Sequence, residues 1–204
     1  MPRSGTPAAR KAPAKSDLPR APEGFRVERE LSVGRHALLE VFPGLDRLSP
    51  AARLEGDPAR RGKLFTETSV EIVDQDMWMY VAPREEPKIP ATVRRRWRPV
   101  LAPGQDCIVV GAGHLRESSG IVLFLDIYHE LCHIVQRRDG ANLWEPGVGY
   151  TKRWTEIEAY RFVVAEGRSL GVPEAFLREY LRVEWISDEE HGELLAELGV
   201  APSS

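Results

Sequence analysis

The chain has 204 residues, 42% hydrophobic and 29% charged, the balance of a soluble globular protein with enough material for one sizeable core. A net charge of −3 and a pI near 6.0 give no general attraction to nucleic acid or to an anionic membrane surface. The longest apolar run, Ile121–Leu125, is far too short to span a bilayer, and two cysteines make no disulfide framework, so a reduced, cytoplasmic setting is expected.

Residues 1–22 are Pro, Ala, Ser, Lys and Arg with little to bury, and lack the apolar stretch of a secretory signal. They read as a disordered basic tail, ahead of a single domain over 23–204. Phe25-Arg26-Val27 is a short β-like segment. A helix is expected through Arg35–Phe42, stopped by Pro43-Gly44, with a loop or short helical turn over Ser49–Arg61. Leu64–Val73 alternates and is rich in β-branched residues, and Met77–Val81 follows a three-residue polar break. This predicts a hairpin. The proline-rich segment Pro83–Pro103 carries Arg94-Arg95-Arg96-Trp97-Arg98. With no nucleic-acid motif around it, that run reads as a solvated charged face.

Asp106–Gly111 is expected as a strand and Gly111-Ala112-Gly113 as a turn holding His114 nearby, with Ser118-Ser119-Gly120 leading into a helix. That helix carries the most informative stretch, Tyr128-His129-Glu130-Leu131-Cys132-His133, a His-Glu-x-x-His motif. Asp126, His129, Glu130 and His133 fall at i, i+3, i+4 and i+7 and share one side, while Ile121, Val122, Leu125, Tyr128, Cys132 and Val135 supply an apolar surface. Two imidazoles one turn apart can hold a single zinc ion through neutral ring nitrogens. Glu130 is rotated about 100° from His129, which suits a general base acting on water activated by the metal. The helix should end near Asp139-Gly140. Further helices are expected over Thr155–Leu170, Pro173–Val183 and Ser187–Leu198, the last opened by a Ser187–Glu190 capping box.

A catalytic zinc needs a third protein ligand. One candidate is Glu156 at the start of the next helix, sharing a face with Ala159, Tyr160 and Val163, whereas Glu158 points elsewhere and reads as a solvated carboxylate. The other is Asp139, which has the metzincin spacing. Against it, Gln136 stands where metzincins need glycine, and no methionine follows Met79.

His129-Glu130-Leu131-x-His133 followed by Glu156-x-x-Ala159 resembles the gluzincin type of zinc metallopeptidase, and within it the ImmA/IrrE-type metallopeptidase domains. The resemblance covers about Asp106 to Gly171. Where those families often carry Asp or Asn four residues after the glutamate, this chain has Tyr160. SprT-like proteases, which expect a third histidine soon after the motif, fit less well, since none occurs before His191. The resemblance implies an α+β zincin-like fold, a small sheet packed on the His-Glu-x-x-His helix with a helical C-terminal half. It also implies zinc on His129, His133 and Glu156, and peptide hydrolysis with Glu130 as base. Tyr160 is a candidate for oxyanion binding, and Tyr150 and Arg161 are weaker ones. The expected partner is a peptide or protein substrate. A zinc-stabilised, non-catalytic interaction domain is the alternative.

Overall fold

The computed structural model describes residues 18–82 and 106–201. The expectations for the first seventeen residues of the tail and for Arg94–Arg98 lie outside them. The fold is mixed α+β, with a four-stranded sheet: β1 (Gly34–Ala37), β2 (Thr68–Val73), β3 (Met79–Val81) and β4 (Asp106–Gly111), in the order β1-β2-β4-β3. The helices are α1 (Leu38–Val41), α2 (Ser49–Leu54), α3 (Pro58–Thr66), α4 (Ala112–Glu117), α5 (Gly120–Arg138), α6 (Trp154–Ser169), α7 (Glu174–Tyr180) and α8 (Asp188–Glu197). Among the described residues no helix is long and apolar enough to cross a membrane.

Helix α5 organises the molecule. Ser119 caps its first turn by accepting from the Val122 N–H, and Gly140 ends it at φ 94°. The expected apolar stripe is wider than the sequence suggested. Ile121, Leu123, Phe124, Leu125, Ile127, Tyr128, Leu131 and Ile134 are all buried, so the helix is enclosed on nearly every side. Val70, Ile72, Ile108 and Val110 from the sheet join that core, and the opposite sheet face keeps a smaller cluster of Ala82, Cys107 and Val109. Tyr128 satisfies its buried hydroxyl by donating to the Leu45 carbonyl at 3.0 Å. At the far end of α5, Arg137 and Arg138 both grip Asp106 at the start of β4, and Arg137 also donates to the Ala82 carbonyl at 2.6 Å. Strand and helix are thereby fixed end to end.

Several expectations are corrected. The first three residues of the expected helix, Arg35–Ala37, belong to β1 and pair antiparallel with β2, and only Leu38–Val41 is helical. The segment Ser49–Arg61, expected as a loop or short helical turn, holds the short helix α2 and the start of α3. The latter begins on Asp57, whose side chain accepts from the Ala59 N–H, with Pro58 at the first helical position. Leu64–Thr66 therefore closes a helix. The hairpin does not form either: β4 inserts between β2 and β3, parallel to the first and antiparallel to the second. Phe25-Arg26-Val27 is not a strand. Gly111 leads directly into α4, and its role is space: a β-carbon there would lie 2.4 Å from the Met77 carbonyl and 2.5 Å from that of Gln75. Ala21, near the end of the expected tail, packs against the core beside Gly120.

The C-terminal helices match their expected positions closely. Ser187 and Glu190 form the reciprocal capping box of α8, and Gly171, at φ 72°, follows α6.

Candidate metal centre

The antiparallel packing of α5 and α6, in which Gln136 meets Thr155 while Tyr128 meets Phe162, brings three side chains to one point. Ala159, fully buried on α6, lets that helix approach α5 closely. Glu156, in the first turn of α6, is thereby set opposite His129 and His133. The Nε2 atoms of the two histidines lie 2.9 Å apart, and Glu156 Oε2 is 3.4 Å from each. A tetrahedral zinc site with bonds of about 2.0–2.1 Å has ligand-to-ligand edges of about 3.3 Å. Two of the three edges match that value and the third is shorter. All three residues are buried, and Glu156 Oε2 makes no hydrogen bond among the described residues. Two imidazoles and a carboxylate are a donor set that zinc accepts readily. The residues present fit the ion.

Gln136 orients this cluster. Its Nε2 donates to the Thr155 carbonyl at 2.9 Å and to Glu158 at 2.8 Å, so its Oε1 faces His133 Nδ1 at 2.8 Å. That oxygen can only accept, which places a proton on His133 Nδ1 and directs Nε2 at the cluster. Glu158 is exposed, as its solvated reading expects, and also accepts from Gln136. Gln136 had counted only against a metzincin turn. Its support of His133 depends on α6 lying alongside, which local sequence does not reveal.

The charges of the cluster are interdependent. Burial opposes ionisation of Glu156, yet the two imidazoles beside it hold its carboxyl well below the usual range. Burial also disfavours a charged His133, but Glu156 outweighs it and pushes that imidazole up to about 9. His129 is held down by its own burial and by His133. In the metal-free protein the proton therefore sits on His133, which donates to Gln136 from one nitrogen and faces His129 with the other.

Glu130 stands beside the three-residue cluster. Burial pushes its carboxyl up to about 8, against the opposing pull of His133. The Val81 N–H donates to that carboxyl. The pairing explains why: Ala82 donates to Cys107 at 2.8 Å, so alternate residues of β3 turn toward β4 while Met79 and Val81 turn their amides off the open edge. β3 is the sheet's edge among the described residues, and it is β3, not β4, that runs past Glu130.

Tyr160 packs its ring 4.4 Å from that of His129, and its hydroxyl lies 2.8 Å from that of Tyr150. Burial raises both phenols above their ordinary range, so both remain proton donors. Asp139 lies away from the cluster. Its side chain is 57% exposed and pairs with Arg60 at 2.6 Å. Arg161 pairs with Glu197 on the surface. Asp126, on the histidine side of α5, is taken up by His114 at 2.7 Å and by the Tyr180 hydroxyl at 2.9 Å, and His114 is held again by Ser118 at 2.9 Å. Sequence reasoning missed this network, which joins α4, α5 and α7.

Comparison with family models, with curated proteins and with solved structures finds no match to this chain.

Proposed function

We propose that this protein is a zinc-dependent peptidase with a zincin-like fold, its metal held by His129, His133 and Glu156. The observation that carries the reading is the convergence of two buried Nε2 atoms and one Oε2 atom, with edges of 2.9–3.4 Å, directly beside Glu130. The zincin-like reading is supported by the edge strand β3, which runs antiparallel to its neighbour past the His-Glu-x-x-His helix. The resemblance to ImmA/IrrE-type domains belongs to this reading.

A zinc ion bound there supplies Lewis acidity, polarising a carbonyl oxygen and acidifying water. Glu130 takes the proton from the attacking water and passes it to the leaving amine. Its raised carboxyl suits both halves of that transfer near neutral pH. The Val81 N–H holds the carboxyl in place. The Tyr150–Tyr160 pair supplies a phenolic O–H for the oxyanion, with Tyr160 fixed against His129. The outward Met79 N–H and the Met79 and Val81 carbonyls offer an edge on which an extended peptide can pair.

The test compares zinc-loaded wild type with Glu130→Gln on a mixture of unstructured peptides, read by mass spectrometry. The variant should keep its zinc and lose about 10²–10⁴-fold in turnover, the contribution of a positioned general base. Equal turnover by both proteins would sink the assigned mechanism.

A further inference from the structure

A continuous chain of aromatic rings leads from the proposed metal ligands to the surface. Tyr160 packs on His129, and Tyr150 meets Tyr160 edge-on at 6.4 Å. Trp185 stands edge-on to Tyr150 at 5.5 Å, and Trp78 stands edge-on to Trp185 at 6.5 Å. Tyr160 is buried and Tyr150 partly buried, whereas Trp78 is 40% and Trp185 58% exposed. Two adjacent exposed indoles are a costly use of surface unless something covers them.

Trp78 is also held in place. Its indole stacks on the His114 ring at 5.9 Å and 19°, and that ring is fixed by Asp126 through Nε2 and by Ser118 through Nδ1. Tyr180 secures Asp126 in turn. An exposed ring already fixed this way loses little freedom when a ligand covers it. Trp78 immediately precedes β3, the sheet's edge among the described residues, where the Met79 N–H and the Met79 and Val81 carbonyls point away from β4.

We propose that Trp78 and Trp185 form a specificity subsite for an aromatic or large aliphatic side chain of an extended peptide, paired on the edge of β3. The substrate class is a peptide segment with such a residue near the cleaved bond. This rests on the peptidase reading above, from which the occupant follows. The indole pair is continuous with the metal cluster through Tyr150 and Tyr160, and it adjoins the strand edge that would hold the peptide backbone.

The test uses zinc-loaded Glu130→Gln protein and capped octapeptides of Gly, Ser and Thr, with one Phe, Leu or Ala scanned through each position. Binding is followed by tryptophan emission and by calorimetry. At one or two positions Phe and Leu should bind roughly tenfold or more tighter than Ala. The preference should fall to within about twofold in Trp78→Ala/Trp185→Ala and survive largely in Trp78→Phe/Trp185→Phe. Absence of binding, equal binding of Phe and Ala, or a preference that persists in the double alanine variant would overturn the subsite. So would a dimer of the chain that the alanine variants dissolve, since the indoles would then face a second copy. Cleavage by wild type is scored separately on the same peptides. Cleavage without side-chain preference refutes the subsite and leaves the peptidase standing; preference without cleavage supports the subsite and refutes the peptidase.

Discussion

His133 is held from both sides, and its two neighbours act on different properties of the ring. Gln136 fixes which nitrogen carries the permanent proton, and Glu156 fixes how tightly the other nitrogen holds its own. The first effect predicts that Gln136→Ala will weaken zinc binding about 10–100-fold, as loss of a ligand's supporting hydrogen bond does elsewhere. Competition with a chromogenic chelator measures this, and unchanged affinity would contradict the role given to Gln136. The second effect predicts a pH dependence. His133 is raised to about 9, so below that pH the incoming ion must displace its proton, whereas Glu156 is already ionised and His129 already neutral. Apparent affinity should therefore fall about tenfold for each pH unit below 9, with roughly one proton released per zinc at pH 7. Calorimetry in buffers of different ionisation enthalpy reads that proton directly. Binding without proton release would show that His133 is neutral beforehand.

At the scale of elements, local chemistry and long-range pairing divide what could be read from the sequence. The ends of α5 and α8 were legible because Ser119, Gly140, Ser187 and Glu190 act within one turn of themselves. Asp57-Pro58 is an equally local signal for α3 but was masked by the β-branched run that follows it. The strands were less legible. Their partners lie up to about forty positions away in the chain, and nothing in Met77–Val81 announces that β4 will enter between it and β2. Gly111 marks where that entry becomes tight, because the carbonyls of Gln75 and Met77 occupy the space of its missing side chain. Gly111→Ala should accordingly cost about 2 kcal/mol through overpacking against rigid backbone. It would appear as a lower urea midpoint at unchanged slope, and an unchanged midpoint would mean that the turn before β3 yields freely.

At the scale of the whole molecule, the candidate centre is a junction. Two ligands come from α5, the third from α6, the buried carboxyl beside them is braced by β3, and the aromatic path ends on the segments before β3 and α8. The three side chains of the cluster were legible in the sequence, since the His-Glu-x-x-His spacing fixes two of them on one helix face and leaves few carboxylates to join them. What surrounds them was not, because Gln136, Val81, Asp126 and Tyr150 acquire their roles only when separate elements meet. The central claim is that Glu156 completes the metal site and Asp139 does not. Zinc content of purified protein tests it most directly, with wild type beside Glu156→Ala and Asp139→Ala. The structure predicts about one zinc per chain in wild type and in the aspartate variant, and loss of it in the glutamate variant. Zinc retained without Glu156, or lost with Asp139, or absent from wild type after refilling, would contradict the assignment.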